Sequence, residues 1–285
     1  MRVLILGASG MLGNAVLKLF TGNGLHETWG TVRSDASRYL FSAELQSRLI
    51  SGVDVLNQDA LLDVFAQTRP EVVINCVGLI KQLHNANDPL AVLPVNALLP
   101  HQLAKLCLVT GARLIHVSTD CVFVGDKGLY KETDYSDARD LYGKSKYMGE
   151  LHDHAHAITL RTSIIGHELN SNYALLDWFL SQEGQVKGYT KAIFSGMPTV
   201  ELARVMHDWV LPQHALCGLY HVSAEPIAKY DLLKLVAEVY DKSIVIQPDD
   251  GMVIDRSLDS TLFQKVSGYE PPNWPELIRS MQQAR

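Results

Sequence analysis

The sequence predicts an α/β fold: a doubly wound parallel sheet joined to a smaller substrate domain that is discontinuous along the chain. Three observations carry this. Apolar runs of strand length alternate with helix-period segments through the first two-thirds of the chain. The strands read as continuous apolar stretches, as strands covered on both faces do. Beyond Thr162 the rhythm loosens into helical segments separated by Gly- and Pro-containing loops.

In chain order, RVLIL reads as a buried strand and residues 12–20 as the helix that follows it. HETWGTV is a second strand. Leu61, Val64, Phe65 and Thr68 lie at helical spacing and stop at Arg69-Pro70, ahead of the strong strand EVVINCV. Leu99, Leu103, Leu106 and Cys107 share one helix face, and Gly111 stands where a left-handed C-cap belongs. RLIHVS and AITLRTS are two further strands. Helices are expected over 173–182, 201–211, 230–240 and 258–266, and GLYHVS is expected to rejoin the main sheet. The expected units are therefore 1–166 with 218–223, and 167–217 with 224–285.

The chain has 285 residues, 47% hydrophobic and 20% charged, enough for one large domain or a domain with an appendage. The net charge of −6 is spread out, without a basic block or acidic tail, which argues against nucleic acid or an anionic membrane as partner. Four cysteines lie far apart with no C-x-x-C pair, as in a reduced, cytoplasmic protein without a zinc site. The apolar run before the first glycine is too short for a secretory h-region, and no transmembrane span is expected.

Gly7, Gly10 and Gly13 follow the first strand at three-residue spacing and open a helix. In that context the first glycine permits a tight turn, the second lets backbone approach a pyrophosphate, and the third lets helix pack on strand. Ser9 replaces the middle glycine of the commoner pattern, and Met11 and Leu12 supply N–H groups at the helix start. This is a Rossmann-type dinucleotide turn. Arg33, at the end of the second strand, suits a 2′-phosphate, so NADP(H) is the favoured cofactor and NAD(H) the alternative. Asp54 and Val55 are assigned to the adenine, and Cys76, Val77 and Gly78, leaving the fourth strand, to the same cofactor.

Gly143-Lys144-Ser145 has the letters that end a P-loop, but Ala138 stands where the first glycine would be and no strand launches the loop. These three residues are expected to be incidental. Tyr142 and Lys146 are instead spaced i and i+4, one helical turn apart. An ammonium beside a phenol is expected to lower the phenol's pKa, on the order of 1–3 units, suiting it to exchange a proton with a carbonyl oxygen. Ser118 and Thr119 end a strand at the carboxyl edge of the sheet, where ligands bind in such folds.

Glycine turn, Ser/Thr strand end and Y-x-x-x-K, in that order, resemble the extended branch of the short-chain dehydrogenase/reductase superfamily. GASGMLG, DPLAVLPVNALLPHQLAKLC, HVSTDCVF, YGKSKYMGE, LRTSIIG, SGMPTVELARVM and GLYHVSAEPIAKYDLLKLV follow the order of dTDP-4-dehydrorhamnose reductase-like nucleotide-sugar 4-keto reductases, nearly end to end. The resemblance implies Thr119, Tyr142 and Lys146 as the catalytic set, with Asn96 supporting the lysine side and Lys146 holding the nicotinamide ribose. It implies NADPH-dependent reduction of a 4-keto nucleotide sugar for cell-surface polysaccharide. Expected substrate contacts are Lys81, His84, Cys121, Arg161, His167 and Pro198, though Arg161 equally suits a structural salt bridge. The chain departs from the family at Asn75–Gln82 and at Cys121, where a tyrosine is usual. The expected partner is the small-molecule nucleotide sugar, with a homodimer left open. An epimerase or dehydratase of the same superfamily, and a non-catalytic NADP-binding regulatory subunit, are the alternatives; the histidines at 152, 154 and 156 read as solvated, with no metal site.

Overall fold

The structure is a computed structural model and describes residues 1–81 and 86–285. The first half alternates β1 (Arg2–Leu6), α1 (Met11–Gly22), β2 (Glu27–Thr31), α2 (Ala43–Gln46), β3 (Leu49–Ile50), α3 (Gln58–Thr68), β4 (Val72–Asn75), α4 (Pro89–Leu93), α5 (Leu99–Thr110), β5 (Arg113–Thr119), α6 (Leu141–Met148) and β6 (Ala157–Thr162). There follow β7 (Ile164–Ile165), α7 (Leu175–Ser181), β8 (Gln185–Tyr189), β9 (Ala192–Phe194), β10 (Met197–Pro198), α8 (Thr199–Arg204) and β11 (Gly218–His221). The chain closes with β12 (Ile227–Ala228), α9 (Lys229–Val239), β13 (Val245–Asp249), β14 (Ile254–Asp255), α10 (Thr261–Ser267) and α11 (Trp274–Gln283).

Seven strands form one sheet in the order β11-β6-β5-β4-β1-β2-β3, and every pairing in it is parallel. The order reverses direction between β1 and β4, which places a ligand crevice at their carboxyl ends. Side chains alternate across the sheet, so β1 feeds two cores. Val3 and Ile5 pack with Val16, Leu17, Leu202 and Met206 on one face. Leu4 and Leu6 pack with Leu61, Phe65, Leu99 and Leu103 on the other. Each such buried side chain is worth roughly 1.5–3 kcal/mol, which is why the strands read as unbroken apolar runs. The helix beginning at Thr199 belongs to the same core as α1, although it lies far along the chain.

Helix ends follow local chemistry. Asn57 caps α3 by accepting from the N–H groups of Asp59 and Ala60, and Gly111 closes α5 at φ 72°. Between α4 and α5 the segment Pro94–Leu98 widens into a π-helical turn, a feature that often marks functional sites. The run Pro89–Thr110, 22 residues, is apolar and long enough to cross a membrane by length and composition. Its Leu99, Leu103, Ala104 and Cys107 nevertheless pack on the sheet.

A third cluster gathers Leu176, Phe179, Leu232, Val236, Leu277 and Ile278 from α7, α9 and α11. It is framed by the small sheets β12-β9-β14 and β13-β8. Residues 254–260 lead from this cluster back across the carboxyl end of β5.

Candidate active site

The glycine turn is held by β2: Ala8 N–H donates to the Thr31 carbonyl (2.9 Å) and Gly7 N–H to Thr31 Oγ1 (3.2 Å). Gly7 sits at φ 81°, the left-handed region that favours glycine. A Cβ on Gly13 would lie 2.2 Å from the Gly7 carbonyl oxygen, so only glycine lets α1 approach the turn this closely. Gly10 is the N-cap of α1 and supplies no side-chain cap, and no acid sits in the first turn. The helix start is therefore an uncapped, positive terminus suited to a pyrophosphate, with Ser9, Met11 and Leu12 around it.

Arg33 stands just past β2, exposed. Asp54, exposed, accepts from Leu56 N–H, and Val55 is half-buried beside it. Cys76, Val77 and Gly78 leave β4 at the same edge, positioned by Asn75 Oδ1, which accepts from Val77 N–H. Burial pushes the Cys76 thiol up to about 12, so it is an inert wall. These residues fit a dinucleotide laid across the carboxyl ends of β1, β2 and β4.

Three consecutive residues at the end of β5 each hold a different part of the site. The Val117 carbonyl accepts from Lys146 Nζ (2.7 Å), Ser118 Oγ donates to Glu150 Oε1 (2.6 Å), and Thr119 Oγ1, beside Tyr142, donates to Asp120 Oδ1 (3.1 Å) and accepts from Cys121 N–H (3.1 Å). Asp140 caps α6 by accepting from Gly143 N–H at 2.7 Å, so Tyr142 falls in the first turn and Lys146 in the last. Lys146 is buried, and burial brings its amine down to about 8, against the opposing pull of Glu150 and Cys76. Tyr142 runs against expectation. Burial raises its pKa, Cys121, Asp120 and Asp140 raise it further, and the Thr119 hydroxyl beside it opposes them. The lysine expected to lower it points at a carbonyl instead.

Two residues thought incidental are structural. A Cβ on Gly143 would lie 2.2 Å from the Cys121 carbonyl oxygen, so Gly143 lets α6 press against the end of β5. Ser145, buried, donates to the Tyr142 carbonyl (2.8 Å) and accepts from Asn96 Nδ2 (3.3 Å). Asn96 also clamps the loop after β4, accepting from Leu79 N–H (2.9 Å) and donating to the Leu79 carbonyl (3.0 Å). Lys144 is exposed and faces away.

The expected substrate residues scatter. Lys81 and Cys121 adjoin Tyr142: the Lys81 ammonium lies 5.3 Å from its ring centroid. The Cys121 thiol is pushed up to about 11, first by burial and then by Asp120. Arg161 is 1% exposed and grips Glu150 with Nε (2.9 Å) and Nη2 (2.5 Å), while His221 Nε2 lies 2.9 Å from Nη1. It is the structural salt bridge and cannot reach a substrate. His167 is held between Asp177 Oδ1 and Tyr240 Oη, both at 2.9 Å, and lines a cavity of about 620 Å³ beside α1. None of Thr119, Tyr142 and Lys146 lines that cavity, so its size is no guide to the chemistry. Pro198 is buried at the start of α8. His84 lies outside the described residues.

Sequence reasoning missed Asp140, Glu150 and Arg256. Arg256 donates from Nε to the Phe123 carbonyl (2.7 Å) and from Nη1 to Cys121 Sγ (3.6 Å). Its position depends on a segment 135 residues away, and no local pattern could have found it. Asp140, by contrast, stands two residues before Tyr142 and was legible as an N-cap.

Over residues 1–283 the chain matches the family model described as RmlD substrate binding domain. A dTDP-4-dehydrorhamnose reductase of Aggregatibacter actinomycetemcomitans is 26% identical across 98% of both chains. The methionine adenosyltransferase 2 subunit beta of Rattus norvegicus is 30% identical over 84% of this chain and 72% of its own. Among solved structures, the dTDP-4-dehydrorhamnose reductase of Bacillus anthracis in complex with NADP superimposes with a TM-score of 0.81. It is 20% identical, covering 100% of this chain and 99% of that one. The UDP-glucose 4-epimerase of Thermotoga maritima gives 0.77 at 18% identity, covering 100% and 98%.

Proposed function

We propose, because the chain belongs to the RmlD substrate binding domain family, that it reduces the 4-keto group of a nucleotide-activated deoxy sugar with NADPH. The product would serve cell-surface polysaccharide synthesis. One observation carries the reading: Tyr142 stands in the first turn of α6 beside Thr119 at the carboxyl end of β5, with buried Lys146 one turn along α6. A binding module needs a cradle but no such acid.

The glycine turn, Arg33, Asp54 and Val55 would hold the dinucleotide, and Lys146 with Cys76–Gly78 and Asn96 its nicotinamide end. When bound, the reduced cofactor supplies a hydride to the keto carbon. Thr119 hydrogen-bonds the keto oxygen and Tyr142 gives it the phenolic proton, so the carbonyl becomes a carbinol. A phenol whose pKa is held up by burial keeps its proton until the oxygen has become basic, which suits an acid better than a base. Lys81 and Cys121 would line the sugar.

The test follows NADPH and NADH oxidation with dTDP-, UDP- and GDP-linked 4-keto-6-deoxy sugars. Turnover with one nucleotide class supports the reading. Tight cofactor retention without net oxidation would point to the epimerase alternative. Absence of turnover with every sugar would favour a regulatory subunit, the reading to which the similarity to methionine adenosyltransferase 2 subunit beta lends weight.

A further inference from the structure

We propose that Lys81 is the charge partner of Tyr142, a positioning residue whose ammonium, anchored by Asp140 over the ring face, orients the phenol and offsets the anions around its hydroxyl. The inference rests on the reading of Tyr142 as the acid and adds a residue to it.

The geometry is specific. Lys81 Nζ lies 5.3 Å from the Tyr142 ring centroid, inside the roughly 6 Å within which a cation and an aromatic face attract. The same nitrogen is 2.7 Å from Asp140 Oδ2. Asp140 is the N-cap of α6, its other oxygen accepting from Gly143 N–H. Anchor and ring therefore share the first turn of α6, and the cation reaches them from the loop after β4. Burial works against the Asp140 charge, yet the Lys81 and Gly143 hydrogen bonds keep its pKa below the ordinary carboxylate value.

The charged and titratable groups facing the phenol come from four segments. The end of β5 contributes Asp120 and Cys121, both of which raise the phenol's pKa, beside the Thr119 hydroxyl that lowers it. On α6, Asp140 raises it, and Lys146, a turn away, is committed to the Val117 carbonyl. Arg256 reaches in after β14, but its guanidinium is spent on Cys121 Sγ and the Phe123 carbonyl. Lys81, from the loop after β4, is left as the cation on the ring itself. Without it, Asp140 would face the phenol uncompensated.

The test reads the ionisation of residue 142 directly, apart from turnover. 2,3,5-Trifluorotyrosine, which ionises within the pH range folded proteins tolerate, is placed at 142 in the full chain saturated with NADP⁺ and titrated by ultraviolet absorbance. Lys81→Met should raise the midpoint by about one unit, a tenfold change in the ionisation constant. Lys81→Arg should keep the midpoint near that of wild type, and Lys81→Gln should raise it as Lys81→Met does. NADP⁺ binding verifies that each variant folds, and Lys81→Gln carries the test if Lys81→Met does not. An unmoved midpoint in Lys81→Met and Lys81→Gln, or a shift in Lys81→Arg as large as in Lys81→Met, would overturn the proposal while leaving the reductase reading standing. Full turnover in Tyr142→Phe would instead remove the reading beneath it.

Discussion

At the β1–α1 turn the site is made of backbone: Gly7 at positive φ, Gly13 against the Gly7 carbonyl, and a helix start left without a side-chain cap. At the first turn of α6 it is made of side chains, with Thr119, Asp120, Cys121 and Asp140 around Tyr142 and Lys81 on its ring. The first end is governed by what a Cβ would strike. The second is governed by burial, which pushes Tyr142 up and Lys146 down. A backbone cradle binds charge whatever the neighbouring side chains are, whereas a half-buried phenol and a buried amine take their properties from every neighbour.

The largest expected effect breaks the side-chain end alone. Tyr142→Phe should cut turnover by about 10³-fold while NADPH affinity, measured by fluorescence, stays within twofold of wild type. A parallel loss of affinity would mean the two ends are not separable. Below α6, Arg161→Met leaves the Glu150 carboxylate buried without its partner and should cost about 3–5 kcal/mol in denaturant unfolding. Arg161→Met with Glu150→Met should recover most of that; equal losses in both would show that packing, not charge, is at stake.

At the backbone end, the two later glycines should part company. A Cβ at position 13 meets the Gly7 carbonyl at 2.2 Å, whereas at position 10 it meets the same atom at 3.4 Å. Gly13→Ala should therefore lose about 2–3 kcal/mol and cofactor binding, as overpacking does. Gly10→Ala should melt near wild type, its cost confined to cofactor affinity. Indistinguishable melting curves would refute the close-approach argument.

Lys146 supplies a pH signature. Its value in the folded protein, about 8, lies below the ordinary 10.5, so between those limits the unfolded chain binds more protons at this site. Stability should then rise with pH across that window, by about 2 kcal/mol near pH 10, and Lys146→Met should flatten the rise. The smallest effect belongs to Arg33, exposed beyond β2. Arg33→Ala should reduce the NADPH-over-NADH preference about tenfold, the value of one charge-assisted contact; an unchanged ratio of kcat/KM would remove its role.

The parallel sheet was legible because strands covered on both faces are buried along their length, so β1 and β4 read as apolar runs and β5 and β6 keep apolar residues between their few buried polar ones. The short strands β3, β8, β9 and β14 were not, since pieces of two to five residues with half-exposed patterns carry no periodic signal. The glycine turn and Y-x-x-x-K are local in sequence and stood out. Arg256 beside Cys121 depends on contacts across the fold and could not. Arg161 was ambiguous because a strand-end arginine looks alike whether it faces solvent or Glu150. Only the packing of β6 between β5 and β11 decides it.

The most direct test of the central claim is hydride transfer itself. With NADPH deuterated at the reactive nicotinamide carbon and the preferred 4-keto nucleotide sugar, mass spectrometry should find one deuterium on the former keto carbon of the product and an equivalent of NADP⁺ released. Tyr142→Phe should bind the cofactor and transfer almost none. Product formed without deuterium, or full transfer by Tyr142→Phe, would contradict the account.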